Sequence, residues 1–277
     1  MGHRMTDGGR IDDESEQAPA GLDISVPHSA RMYDWWIGGK DNFAADRELG
    51  ARFAQAIPSI PAMARENRNF MHRVVRYLSA QAGIRQFLDI GTGIPTRPNV
   101  HEIAQGTAAD SRVVYVDNDP LVLVHARALL TSSPEGATDY LAADVRDPEA
   151  ILRGAKEILN FAEPVALMML GILGNVTDYD QARAIVDRLV SALPSGSYLV
   201  INDGTNVINP AARDAATRAS IEAGTPYIAR HPDQIAGFFH GLDLVEPGVV
   251  SSSLWRPDSD AGVPAVVDVF CGVAKKP

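Results

Sequence analysis

Gln86-Phe87-Leu88-Asp89-Ile90-Gly91-Thr92-Gly93-Ile94-Pro95 is an apolar run that carries one acid near its end and breaks into a Gly-x-Gly turn. A nucleotide-binding α/β domain begins in that order: a buried strand, then a loop whose backbone approaches a ligand. Glycines at 91 and 93 permit positive φ and remove the Cβ atoms that would hold a ligand off. Asp89 places a carboxylate at the strand end, where it suits a ligand's ammonium group and would repel a pyrophosphate. The dinucleotide fingerprint also fails on spacing, because Gly-x-Gly-x-x-Gly needs glycine at position 96 and the chain has Thr96. A tight βα turn with no ligand uses the same residues, so the flanking segments decide.

Arg112 to Asp117 is a second β-branched run ending in an acid, about two dozen residues on, where such folds hold a carboxylate for ribose hydroxyls. Asp119-Pro120 then reads as an N-cap and a first-turn proline opening a helix from Leu121 to Leu130. Tyr140 to Val145 ends in a third acid, Asp144. A single strand-end Asp is commonly a turn former. Three at the carboxyl ends of three successive strands point to the edge where open α/β sheets bind ligands.

Four strings carry a narrower likeness: Ala30-Arg31-Met32-Tyr33-Asp34, Gly38-Gly39-Lys40-Asp41-Asn42-Phe43, Gln86 to Gly93, and Tyr115-Val116-Asp117-Asn118-Asp119-Pro120. Together they resemble a bacterial family of S-adenosylmethionine methyltransferases with unassigned acceptors, over about Pro27 to the C-terminus. The resemblance implies a class I, Rossmann-like fold, S-adenosyl-L-methionine as donor, and Asp89, Gly91, Gly93 and Asp117 as cofactor contacts. Thr92 and Asn118 lie in the same two loops, and Asp144 stands where the superfamily commonly faces the adenine amino group. Gly38 and Gly39 have two readings, a helix-terminating turn or a lid touching the cofactor. Asn67 and Arg68 also have two, a solvated polar turn or partners of the cofactor carboxylate. The chain departs from the pattern at Pro95, where a third glycine is usual. It departs again at Gly174-Asn175 and Asn202-Asp203, where relatives often carry histidine, so these places offer no histidine as acid or base.

The remaining segments complete an α/β sheet. Residues 1–26 read as a disordered acidic tail, 27–82 as a helical cover of the cofactor site, and 83–277 as the Rossmann-like core. Apolar spacing predicts helices through Ala45, Leu49, Phe53 and Ile57, and through Phe70, Val74 and Leu78. Asn99 and Glu102 form a capping pair that starts a helix near Val100. Strands follow at Val165 to Leu170, Ser197 to Ile201, Leu242 to Val245 and Val266 to Val273, seven in all, with the last antiparallel to the sixth. Ser251-Ser252-Ser253 and the loop to Pro264 read as a flexible connection.

Composition narrows the chemistry. The chain has 277 residues, 45% hydrophobic, and a formal net charge of −10, which argues against a non-specific nucleic-acid binder. Cys271 is the single cysteine, which excludes an internal disulfide and fits a cytoplasmic enzyme. No apolar run approaches a membrane span, and His101-Glu102 lacks the second histidine of a zinc site, so no metal is expected. The function expected is methyl transfer to a small-molecule acceptor; the alternative is a non-catalytic S-adenosylmethionine or nucleoside-binding regulator. If a general base is used, the candidates are Asp203, Asn175 by orientation, and Tyr33; Asp203 also reads, and more readily, as a turn former.

Overall fold

The computed structural model describes residues 23–129, 132–258, 262 and 264–277. Residues 1–22 of the expected acidic tail, and Leu130 of the expected fifth helix, lie outside the described residues. The chain opens with α1 (Ser29–Trp36), α2 (Ala44–Ala56) and the long α3 (Ile60–Ala80). An alternating series follows: β1 (Gln86–Ile90), α4 (Val100–Thr107), β2 (Arg112–Asp117), α5 (Pro120–Leu129), β3 (Ala137–Ala142), α6 (Pro148–Ala155), β4 (Ala166–Leu170), α7 (Tyr179–Ser191) and β5 (Tyr198–Gly204). The chain closes with α8 (Pro210–Glu222), α9 (Pro232–Gly237), β6 (Asp243–Leu244), β7 (Val250–Ser251) and β8 (Val269–Lys275).

The strands form one sheet in the order β3-β2-β1-β4-β5-β8-β6. β1 to β5 are parallel, and β8 runs antiparallel between β5 and β6. The strand reversal between β1 and β4 opens a crevice at the carboxyl edge, where doubly wound sheets bind ligands. The period-two alternation of β1 sends Leu88 and Ile90 into the core beneath α6 and α7, and Phe87 into the core beneath α3 and α4. Asp89 shares the Phe87 face, so the strand aims its carboxylate toward α3. On α3, Phe70, Val74 and Leu78 recur at four-residue spacing and are wholly buried on the sheet. At about 1.5 Å per residue the helix is longer than the sheet edge needs. Its first turns, with Met63, Asn67 and Arg68, therefore overhang the crevice.

Several boundaries differ from expectation. There are eight strands among the described residues, because Val250–Ser251 pairs with β8 as a short extra one. β6 spans only Asp243–Leu244, and Leu244 is exposed there, ahead of Pro247 and the positive-φ Gly248. β8 begins at Val269, since Val266 is exposed and unpaired with the sheet. The three serines are no loose connection: Ser251, Ser252 and Ser253 are buried. Ser251 Oγ donates to Val267 O at 2.8 Å and Ser253 Oγ to Ala265 O at 2.7 Å, while Arg73 donates to Ser252 O at 2.6 Å. Trp255 behind them is fully buried, edge-on to Phe70 and Tyr77. The expected capping pair does start α4, with Glu102 Oε2 accepting from Asn99 N at 2.7 Å.

Candidate functional site

A single cavity runs along the carboxyl edge of β1, β2, β4 and β5, roofed by α1, α2, the start of α3, and α8. Asp89, Gly91, Thr92, Gly93, Asp117 and Asn118 all line it, so six of the nine expected cofactor residues meet in one wall. Asp89 is buried. Its hydrogen bond comes from Thr92 Oγ1 at 3.3 Å, and no salt bridge reaches it among the described residues. Burial pushes its carboxyl up to about 7, against the Thr92 bond and the Arg68 charge and aided by the charge of Asp117. Asp117, also raised by burial, accepts from Gly93 N at 2.8 Å and Asp119 N at 3.0 Å. Each oxygen keeps a second lone pair for a ligand hydroxyl.

Gly91 has φ +76°, and a Cβ there would lie 2.7 Å from the Ile172 side chain. Glycine is required twice over, by conformation and by space. Arg68 lines the wall and donates to the carbonyls of Thr96 and, at 2.9 Å, Pro98, so α3 also ties down the glycine loop. Asn67 joins it, receiving a bond from the buried Asn202 amide. The cavity-facing reading of this pair is the one the geometry favours over a solvated turn.

Three expected residues do not reach the wall. Gly38 and Gly39 lie off the cavity, because the turn they form is built around Asp34. That carboxylate accepts from Asp41 N at 2.9 Å and Asn42 Nδ2 at 2.8 Å, and it occupies the space a Gly39 side chain would need. The glycines close the turn that ends α1 and do not line the cavity. Asp144 is half-exposed at the rim, turned to Arg146 at 3.1 Å, and touches the wall only through Asn118 Nδ2 at 3.2 Å.

The candidate bases fare differently. Asp203 is fully buried and off the cavity wall. Its Oδ1 accepts from the Tyr227 hydroxyl and from Gly204 N, and Arg230 Nη1 lies 3.7 Å from Oδ2. Burial pushes its carboxyl up to about 6 despite the Tyr227 bond and the Arg230 charge. Enclosed in this way, its carboxylate faces Tyr227 and Arg230 and not the cavity. Tyr33 lines the cavity but donates its hydroxyl to Ala64 O at 2.7 Å, and burial raises it well above the ordinary phenol range. Asn175 lines the cavity from a 3-10 turn, with Nδ2 donating to Ile172 O at 3.2 Å.

Sequence reasoning missed two further groups. Arg31 ties α1 to α2 and to the turn after β2: Nε donates to Asp119 Oδ2 at 3.1 Å and Nη1 lies 3.6 Å from Asp46 Oδ2. Arg213 and Tyr227, from α8 and the loop after it, line the far end of the cavity. The Ala-Arg-Met-Tyr-Asp string was the one available signal for Arg31; nothing local marks Arg213 or Tyr227.

Residues 15–277 match the S-adenosyl methyltransferase family. The chain belongs to that family. It is thus an S-adenosylmethionine-dependent methyltransferase. A crystal structure of a DUF574-family protein from Streptomyces avermitilis shares 46% identity, covering 92% of this chain and 99% of its own, with a TM-score of 0.88. That of a candidate methyltransferase from Thermobifida fusca shares 41%, covering 95% and 99%, with a TM-score of 0.86. The plantazolicin methyltransferase, solved with S-adenosylhomocysteine, has the same fold at 11% identity, covering 90% and 95%, with a TM-score of 0.50. No curated protein matches the chain. The methyltransferase wall fits its donor on its own chemistry. Asp89 is a buried acid with no salt bridge among the described residues, and Gly91 marks a backbone cradle closed to any side chain. No helix among the described residues is long and apolar enough to cross a membrane, and no cluster of metal-binding side chains occurs among them.

Proposed function

We propose that the donor's amino-acid end sits between Asp89 and Arg68, its ribose on Asp117, and its base beside Asn118, and that methyl passes to a small-molecule acceptor held under α1, α2 and α8. The observation that carries this reading is the meeting of two buried carboxylates and the glycine loop in one wall. When bound, the sulfonium supplies an already activated methyl group. The chain's own task is then to bind, orient and exclude water. Asp89 takes the ammonium, Arg68 the carboxylate, and Thr92 holds Asp89 in place. Gly91 and Gly93 bring backbone to the ligand, with Gly93 N–H fixing the Asp117 carboxylate. Residues 27–82 act as a cover in this reading, closing the wet side of the cavity with Met32, Tyr33 and Trp36. A cytoplasmic setting accords with the single, fully buried Cys271 thiol.

Calorimetry with S-adenosylhomocysteine tests the assignment. Asp117→Ala should weaken it roughly tenfold or more, and should weaken an analogue lacking both ribose hydroxyls far less. A general structural defect would weaken both alike, and equal losses would remove Asp117 from the ribose site. NAD should give no stabilisation where S-adenosylhomocysteine does.

A further inference from the structure

The cavity continues beyond the donor wall into a chamber made by α1, α2, the start of α3 and α8. Its surface is apolar and aromatic, with Met32, Trp36, Phe53, Ile57 and Met63. Arg213 is the one charged side chain lining this chamber among the described residues. It is 8% exposed. Nη2 donates to Asp268 O at 2.7 Å and approaches Met63 Sδ at 3.5 Å. Nε lies 3.5 Å from Asp268 Oδ2 but makes no hydrogen bond. No hydrogen bond among the described residues engages Nη1, which lies 3.5 Å from where a Cβ on Gly204 would stand, with the Tyr227 ring and hydroxyl 3.3 Å from the same point.

Asp268 balances the guanidinium from behind but does not line the chamber. Its carboxylate is already shared with Thr205 Oγ1 and, at 3.3 Å, Val207 N. What the pair shows to the chamber is therefore a charged N–H donor, Nη1, that no acceptor among the described residues takes up, while Nε is the buried, unbonded atom behind it. Beside Arg213 the chamber offers no carboxylate to a cationic acceptor among the described residues; the cavity's one lining histidine, His28, stands 3.2 Å from Asp119 Oδ2. The donor's sulfonium adds a second positive charge nearby.

We propose that the acceptor is a predominantly apolar molecule carrying one oxyanionic group, which Arg213 Nη1 receives. This rests on the donor assignment above.

The test uses the full chain saturated with S-adenosylhomocysteine and a series of probes: phenylacetate, phenylbutyrate and decanoate, each against its primary amide and primary amine. Binding is read by calorimetry. At least one carboxylate should bind roughly tenfold or more tighter than its amide and amine, the scale of a charge-assisted bond. Arg213→Gln should bring carboxylate and amide to near parity, and Arg213→Lys, which keeps a cation beside Asp268, should retain part of the preference. Amides or amines binding as tightly as carboxylates would overturn the proposal. So would a preference that survives Arg213→Gln, or a series in which no carboxylate binds. The wild-type selectivity stands even if Arg213→Gln misfolds. S-adenosylhomocysteine titrated alone separates the failures: if it does not bind the wild type, the donor assignment falls, and if it binds while the acid probes do not, only the acceptor class falls.

Discussion

Asp89→Asn should make the unliganded protein more stable and the liganded one weaker, and pH should govern both effects. Burial holds the Asp89 carboxyl at about 7 in the unliganded protein, against an ordinary 3.8. Each pKa unit is worth about 1.4 kcal/mol, so keeping this group ionised in the fold costs on the order of 4 kcal/mol. The folded pKa is raised, so the folded state holds the proton longer than the unfolded one. Stability relative to a neutral isostere is therefore lost as pH rises from about 4 to about 7 and stays lost above that. In urea titrations the advantage of Asp89→Asn over wild type should grow by about 2 to 3 kcal/mol between pH 5 and pH 8. Binding runs the other way. A proton on Asp89 competes with the ligand's ammonium, so wild-type affinity for S-adenosylhomocysteine should fall up to roughly tenfold per pH unit below about 7 and level off above it. The variant should bind about 1.5 to 3 kcal/mol more weakly at pH 8, with little pH dependence. A wild-type affinity that is flat from pH 5 to pH 8, or a variant no more stable than wild type at pH 8, would refute the placing of a cation on Asp89.

Three further outcomes follow from buried groups. Arg230→Met strips the buried Asp203 of its cation and leaves the Leu173 and Val176 carbonyls without donors; about 3 to 5 kcal/mol of stability should be lost, a part returning on adding Asp203→Asn. Because the Asp203 pKa is already raised to about 6, wild-type stability drawn from this group declines up to that pH, and without Arg230 the decline should extend above it. Arg31→Ala releases α1 from Asp119 and Asp46, so amide exchange should speed up across residues 29–56 while β1 to β5 stay protected; uniform exchange would deny Arg31 its linking role. Gly91→Ala should cost roughly 2 to 4 kcal/mol in thermal unfolding, from positive φ and from the clash with Ile172, and Ile172→Ala should return only the clash.

The sheet was legible because its rules are local. Apolar runs that end in an acid and a turn marked β1 and β2, and four-residue spacing marked α3. What escaped depended on partners far away in the chain. Ser251 to Ser253 have the composition of a loop, yet Arg73, more than 170 residues earlier, helps to satisfy their backbone and allows them to be buried. The two-residue β6 could not be sized from Leu242 to Val245, since its length is set by the turn at Pro247 and Gly248 and not by apolarity.

The same distinction sorts the candidate acids. Asp89, Asp117, Asp144 and Asp203 all follow apolar runs and look alike in sequence. In the fold, two of them meet an arginine of their own chain: Asp144 pairs with Arg146, and Asp203 with Arg230. Neither lines the cavity. Asp89 and Asp117 meet no arginine or lysine in a salt bridge among the described residues, and both line it. Burial raises both carboxyls, so each gains most from a ligand that brings the missing cation or hydroxyl donors. A strand-end acid paired within the chain has its charge answered by the fold. One left buried without a cation points to chemistry that arrives from outside.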